Sequence, residues 1–272
     1  TYPSFSLQDS RRRLLLFGET HDDEVAQDVE RLVYDNVARE RGNLNLALEF
    51  LDADAREAVR AFNEQEADGE KQKQICDAMF KTTAEAKKYG GLALLAKHHT
   101  NRIIAANASS RHVKQVARQG VDSLTSLPEE DLEKLPPLPL PPPSSSYRQI
   151  LKEAMGFSDN KIAAQNLWDV AMANSCVSTL RDNATDAVML VCGRFHIQGY
   201  FGIVDHVMTT HKVDRDEFRT IVCLPMDAQS FESCNDPSYT FDKAPEALKR
   251  FADFVILTKG PPRKEEILAA SS

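Results

Sequence analysis

The chain has 272 residues, enough for one large α/β domain or two small ones, and 42% of them are hydrophobic while 27% are charged. This composition is typical of a soluble globular protein. The net charge of −8 argues against a protein that binds duplex nucleic acid, because such proteins normally show a basic face. No apolar run approaches the roughly 18–20 residues of a membrane-spanning helix, so no membrane span is expected in this chain.

The five cysteines are odd in number and widely spaced, and no two of them form a Cys-x-x-Cys pair. This pattern disfavours both a disulfide scaffold and a structural zinc site. No signal peptide is recognisable, and the first residue is Thr1 rather than methionine. That start leaves room for a targeting segment or further domains ahead of this sequence.

Short apolar runs alternate with helical patterns along the first 120 residues. The run at 12–17 is continuous and apolar, which is typical of a strand buried on both faces. The same reading along the chain predicts strands at 44–50 and 101–108, helices at 23–40, 53–64, 75–100 and 110–119, and a polar loop at 65–74. We expect Asp22 or Asp23 to cap the first helix and Gly90-Gly91 to break the third.

Residues 134–146, KLPPLPLPPPSSS, contain six prolines and three serines and predict a surface loop or an extended segment. A long helical pattern follows at 147–183, with a break near 156–159. The remaining elements are predicted as strands at 187–193, 219–225 and 253–259 and helices at 200–211 and 244–251.

This order of elements predicts an α/β fold with a mostly parallel central sheet and helices on both faces. The helical and proline-rich part at 120–183 is predicted to be an insertion, or a cap over the sheet, within a single domain.

Ionisable side chains collect where the predicted strands end. Glu19 and His21 follow the first strand, Glu49 ends the second, Asn107 ends the third and His196 follows the fourth. Because sites in open α/β sheets form outside the carboxyl ends of the strands, these residues are expected to share one edge of the sheet.

Two of these strand ends share the spacing Gly-x-x-His, in GETH at 18–21 and GRFH at 193–196. The glycine lets the chain turn sharply off the strand, and the histidine then lies over the sheet edge. If the two strands are neighbours, His21 and His196 face each other across one pocket.

Glu49 has the strongest individual claim to a function, because a carboxylate inside the apolar run LALEF is costly unless it is paired or lies at the strand's open end. Asn107 has the alternative role of capping the following helix. Asp169 interrupts an apolar helical face in NLWDVAMA, so it either pairs with a site histidine or arginine or lies on a solvated face.

At these residues the chain resembles the ChaN-like haem-binding proteins, within a superfamily that also contains Tiki-type metalloproteases and erythromycin-esterase-like hydrolases. The resemblance is carried by LLLFGETHDD, LALEF, RIIAANA, AAQNLWDVAMA and VCGRFHIQGYFGI, in the family's order. It implies that residues 1–272 form a single α/β domain of this type, with the insertion at 120–183 inside it.

The resemblance also implies that the protein binds haem or another tetrapyrrole, as a carrier, buffer or sensor, at the C-terminal edge of the sheet. A tyrosine is then the expected iron ligand, with Tyr200 as the local candidate and Tyr89 and Tyr147 as others. We take His21, Asn107, His196 and Tyr200 as the candidate cofactor-binding residues. Bacterial members bind two stacked haems at a dimer interface, so a homodimer is expected; plant members include plastid proteins, so a plastid location is expected.

The same residues fit two other hypotheses, and the first of these is a hydrolase. Glu19, His21, Glu49 and His196 are candidate catalytic residues of a hydrolase. In one form they bind a divalent metal such as Mn, Co or Zn; in the other, a histidine held by a carboxylate acts as general base. The second of these hypotheses is an inactive regulatory domain of a larger protein.

Overall fold

The computed structural model describes residues 11–66, 69–226, 248 and 250–259. Within them, six strands form one parallel sheet with the order β3-β2-β4-β1-β5-β6. The strands are β1 (Leu14–Glu19), β2 (Leu44–Asp52), β3 (Ile103–Asn107), β4 (Ala187–Gly193), β5 (Phe218–Met226) and β6 (Phe254–Lys259). The predicted α/β class with a mostly parallel sheet is confirmed.

Helices cover both faces of this sheet. They are α1 (Glu24–Arg41), α2 (Arg56–Glu64), α3 (Gly69–Met79), α4 (Thr83–His98), α5 (Ser110–Gln119), α6 (Glu129–Leu132), α7 (Ser145–Glu153), α8 (Asp159–Asp182) and α9 (Ile203–Thr209). No helix in the described part of the chain has both the length and the apolar character needed to cross a membrane.

Strand β1 shows why both faces must be covered, since all six of its residues are buried. Leu15 and Phe17 point into a core shared with α1 and α4, whereas Leu14 and Leu16 point into a second core shared with α8 and α9. Alternating side chains of a central parallel strand are therefore apolar on both sides, which explains the continuous run in the sequence.

The predicted helix at 75–100 and the loop at 65–74 are both partly wrong. Helix α3 already begins at Gly69, and the break falls at 80–82 rather than at Gly90-Gly91. Thr82 starts α4 with a capping box, in which its side chain accepts a hydrogen bond from the Glu85 amide and the Glu85 carboxylate accepts one from the Thr82 amide. Gly90 stays helical, and its carbonyl accepts a hydrogen bond from the Cys76 thiol of α3 at 3.5 Å.

The predicted helix at 200–211 begins later, at Ile203. Gly199, Tyr200 and Gly202 have φ values of 68°, 63° and 58°, in the left-handed region that a right-handed helix excludes.

The start of the first helix is as expected, because Asp23 caps α1 by accepting hydrogen bonds from the Val25 and Ala26 amides. The predicted helix at 244–251 lies mostly outside the described residues.

Residues 120–183, which we predict to be an insertion, contribute both to the packing on the sheet and to a wall above it. Helix α8 packs directly on one face of the sheet through Met172, Cys176 and Val177. The proline-rich segment runs alongside it, held by a hydrogen bond from the Asn166 side chain to the Pro141 carbonyl at 2.9 Å. The short helix α7 follows, with Tyr147 and Leu151 packed against Ile162 of α8.

Helix α1 carries a buried acid beneath the sheet. The Glu30 side chain is fully buried, and neither of its carboxyl oxygens has a hydrogen-bond partner among the described residues. Burial, together with the nearby Glu19, raises the pKa of Glu30 well above its usual range. The folded protein therefore keeps a proton on Glu30 at pH values where the unfolded chain has lost it.

The substitution Glu30→Gln tests this protonation. A raised folded-state pKa means that wild-type stability falls as pH rises above the unfolded pKa of about 4.3, by up to about 1.4 kcal/mol per pH unit. The neutral glutamine side chain has no such loss, so we expect the variant to gain stability relative to the wild type between pH 5 and 8 in urea unfolding. The control is Glu40→Gln, at an exposed position of the same helix; equal pH slopes in all three proteins would contradict the prediction.

Candidate functional site

The two Gly-x-x-His loops leave the sheet side by side. Strand β1 pairs with β4 in a register that places Gly18 opposite Cys192 and Glu19 opposite Gly193. A Cβ atom on Gly18 would lie 2.9 Å from the backbone Cα of Arg194, so only glycine at this position allows the two loops to come this close. His21 and His196 consequently line the same pocket.

His21 is held by a buried carboxylate. Its Nδ1 lies 2.7 Å from Oε1 of Glu19, whose side chain is buried, and the Tyr89 hydroxyl donates to the same oxygen at 2.9 Å. The hydrogen bond to Glu19 raises the pKa of His21, with burial opposing it. The His21 side chain is 51% exposed, and its Nε2 has no hydrogen-bond partner in the part of the chain that the structure describes.

His196 is held differently, between two carboxylates. Its Nδ1 lies 2.5 Å from Oδ1 of Asp169 and its Nε2 lies 3.4 Å from Oε1 of Glu49. Burial opposes the charge on His196, but the two carboxylates outweigh it and raise its pKa to about 10. Burial likewise opposes the charge on Glu49, yet His196 and the Gly193 amide lower its pKa to about 2. Both nitrogens of His196 are therefore engaged, and the two carboxylates favour its charged form.

A pocket of about 490 Å³ opens above these groups, within the range of small-molecule sites. Its polar floor comes from the sheet edge and α8, and its apolar wall comes mainly from α7 and the turns after β4. The lining includes His21, Glu49, Gln165, Gly193 and His196 on the polar side and Tyr147, Ile150, Leu151, Met155, Trp168, Phe195, Phe201 and Phe251 on the apolar side.

The other predicted residues fall outside this lining. Asn107 donates from Nδ2 to the Glu49 carbonyl at 3.1 Å and so supports the end of β2 rather than the pocket. The Tyr200 hydroxyl lies 3.4 Å from Oδ1 of Asp253, and the Arg215 guanidinium lies over the Tyr200 ring at 5.0 Å. Tyr200 is directed there because its backbone turns through the left-handed region before α9.

Sequence reasoning missed Gln165 and the contact of Tyr89 with Glu19. Gln165, Trp168 and Asp169 lie three and four residues apart on α8, so they share the helix face that meets the sheet edge. The pairing of Asp169 with a site histidine is confirmed. That helical spacing was the available signal for Gln165. Tyr89, a predicted candidate ligand, lies outside the pocket lining, and nothing in the local sequence of α4 indicates its contact with Glu19.

The hypothesis that these residues bind a divalent metal gains no support from the structure. In residues 11–66, 69–226, 248 and 250–259, no group of three or more His, Cys, Asp or Glu side chains is arranged to hold a metal ion. Among the four predicted ligands, His196 and Glu49 bind each other and His21 binds Glu19. These pairings separate the carboxylates instead of directing them at one point.

The described residues thus form a six-stranded parallel α/β fold with helices on both faces and a His-carboxylate pocket at the carboxyl edge of the sheet. The family model described as "Haem-binding uptake, Tiki superfamily, ChaN" matches residues 8–207, and the chain belongs to this family. No curated protein matches the chain in a sequence search.

A solved structure shares this fold, and others show a weaker similarity. ChaN of Campylobacter jejuni, described as binding haem cofacially, superposes with a TM-score of 0.59 at 15% identity, covering 80% of this chain and 84% of that one. An erythromycin esterase in its open conformation gives a TM-score of 0.44 at 10% identity, covering 78% and 70%. A Bacillus cereus protein gives 0.43 at 14% identity, covering 82% and 70%.

The two histidines are expected to differ in their effect on stability. His196→Ala leaves Asp169 and Glu49 without their shared cation in a buried position, which costs about 3–5 kcal/mol. His21→Ala removes a half-exposed side chain and leaves Glu19 bonded to Tyr89, so a loss of about 1 kcal/mol or less is expected. Urea unfolding at pH 7 measures both; comparable losses would mean that His21 also supports the fold.

Proposed function

We propose that this protein binds haem, or another tetrapyrrole, in the pocket between the two Gly-x-x-His loops, as a carrier, buffer or sensor, with Nε2 of His21 as the iron ligand. Family membership supports haem binding in general. The observation that carries the site is the His21 imidazole, which lines an apolar pocket with Nδ1 bonded to Glu19 and Nε2 unbonded among the described residues.

That arrangement suits an iron ligand for a physical reason. A metal-binding histidine usually donates its other N–H to a carboxylate, which selects the tautomer, orients the ring and increases the basicity of the ligating nitrogen. Glu19 does this for His21 from a buried position. A histidine ligand suits haem iron, and the polarity of the pocket would tune it.

The other candidate ligands are less suited to this role. Both nitrogens of His196 face carboxylates, so its lone pairs are not available to iron. Tyr200 is directed towards Asp253 and lies outside the pocket lining. Tyr147 does line the pocket, although its hydroxyl lies 3.4 Å from the Phe195 carbonyl. Of the three tyrosines predicted as candidate ligands, Tyr147 is therefore the one that lies in the pocket lining.

The shape and chemistry of the pocket also fit a flat, apolar ring system. Aromatic side chains of Trp168, Phe195 and Phe201 line it together with Ile150 and Leu151 of α7. Such side chains pack against the faces of a macrocycle and keep water away from it. If haem binds here, it would supply ferric or ferrous iron that a side chain of the pocket can ligate.

Titration with haem tests the proposal directly. We expect a Soret band with a saturable, one-to-one increase in the wild type, and at least a tenfold loss of affinity in His21→Ala, because a lost axial bond is worth more than about 1.4 kcal/mol. Tyr200→Phe is the matched control and should bind as the wild type does; Tyr147→Phe identifies a tyrosine contribution. No Soret shift at micromolar haem would refute the proposal.

Hydrolysis is a second candidate, and the same pair of residues favours it. A histidine whose Nδ1 is bonded to a buried carboxylate and whose Nε2 is unbonded is also the geometry of a general base that acts on water. Turnover of a p-nitrophenyl ester that disappears in His21→Ala, in a protein that shows no Soret band, would select the hydrolase.

A second copy of the chain is proposed to cover the pocket mouth. Ile150, Met155 and Phe195 line the pocket and are 41%, 40% and 47% exposed, which places apolar surface around its opening. Sequestering such a patch on haem binding is favourable. The cofacial haem binding described for ChaN of Campylobacter jejuni supports the pairing of two such faces.

Sedimentation velocity with and without haem tests this pairing. We expect a haem-dependent shift from monomer to dimer in the wild type and a loss of that shift in Phe195→Ser, which removes the most exposed of the three apolar residues. Met208→Ser, at a 38% exposed methionine outside the pocket lining, is the control. A haem-bound monomer at all accessible concentrations would contradict the prediction.

A further inference from the structure

We propose that Tyr89 is a positioning residue of this site, whose hydroxyl sets how strongly Glu19 attracts the Nδ1 proton of His21 and thereby how strongly Nε2 of His21 donates to a bound iron. The proposal rests on the assignment of His21 as the iron ligand. It assigns a function to a buried side chain of α4 that neither the strand-end pattern nor the pocket lining marks.

Two donors share one oxygen atom at the centre of this arrangement. The Tyr89 hydroxyl and His21 Nδ1 lie 2.9 Å and 2.7 Å from the same atom, Oε1 of Glu19. Hydrogen bonds to a carboxylate withdraw electron density from it, so each donor weakens the hold of the oxygen on the other. The Tyr89 hydroxyl therefore limits the imidazolate character that Glu19 can give to His21.

Phe50 holds both rings in place. Its ring stacks on Tyr89 with centroids 3.6 Å apart and planes 9° apart, and it meets the His21 ring edge-on at 5.3 Å and 80°. Tyr89 is 1% exposed, so its ring has no room to swing away from Glu19. The distance from the hydroxyl to Oε1 is consequently set by packing.

A role in packing alone does not account for the hydroxyl. Phenylalanine would fill the same buried space, and a buried hydroxyl is costly unless it is bonded. Within the described residues the hydroxyl of Tyr89 bonds only to Glu19, while the second oxygen of Glu19 and both oxygens of Glu30 are buried without partners. The hydroxyl is thus directed at the one carboxylate oxygen that also holds His21.

Tyr89→Phe removes the donor and nearly preserves the shape. In the protein without haem, we expect the His21 Nδ1–H proton resonance to move downfield, because Oε1 then holds that proton more strongly. In the haem complex, we expect the midpoint potential to fall, because a more anionic imidazole favours ferric over ferrous iron.

Tyr34→Phe is the matched control. Tyr34 is also fully buried, and its hydroxyl donates to the Leu44 carbonyl at 2.6 Å, away from Glu19 and His21. Loss of the Tyr34 hydroxyl should lower the stability of the fold without changing the His21 Nδ1–H resonance or the midpoint potential. The proposal is overturned if the changes in the Nδ1–H resonance and in the midpoint potential are no larger in Tyr89→Phe than in Tyr34→Phe. It is also overturned if both quantities move in the opposite direction.

The two measurements also distinguish a failure of this proposal from a failure of the proposed function. The Nδ1–H resonance is measured without haem, so it tests the role of Tyr89 even if the Soret titration fails. Should Tyr89→Phe not fold, 3-fluorotyrosine at position 89 keeps the ring and makes its hydroxyl a stronger donor. The resonance should then move upfield and the midpoint potential should rise; no change in either would overturn the proposal.

Discussion

The parallel pairing of β1 with β4 is the constraint on which the site depends. These strands are distant in sequence, yet their register places Glu19 opposite Gly193 and brings one Gly-x-x-His loop against the other. Parallel strands carry their carboxyl ends to the same edge, so every polar group that follows a strand is delivered to one side of the sheet. The close approach of Gly18 to the Arg194 backbone leaves no room for a side chain between the loops.

His21 and His196 lie at this edge of the sheet in different electrostatic environments. His196 lies between Asp169 and Glu49, and the charge on its ring offsets two carboxylates that are otherwise costly to bury. His21 has a single carboxylate on one nitrogen and a half-exposed ring. The first arrangement stabilises the folded edge of the sheet, whereas the second leaves a nitrogen able to bind a ligand or accept a proton.

Helices supply what the sheet edge lacks. Helix α8 provides Asp169 and Gln165 on the face that meets His196, and α4 provides Tyr89 beneath Glu19. Helix α7 and the turns after β4 add an apolar wall over these polar groups. The resulting pocket is polar at its floor and apolar at its sides, a combination typical of small-molecule sites.

The sequence by itself determined the strands, the class of fold, the family and the residues at the strand ends, because buried parallel strands and Gly-x-x-His turns are local patterns of apolar and small residues. It left open whether Asp169 pairs with a site residue or lies on a solvated face. It did not determine which histidine keeps an unbonded nitrogen, that Tyr200 turns towards Asp253, or that Tyr89 reaches Glu19. Those outcomes depend on strand register and helix packing between residues far apart in the chain, so only the tertiary structure decided them.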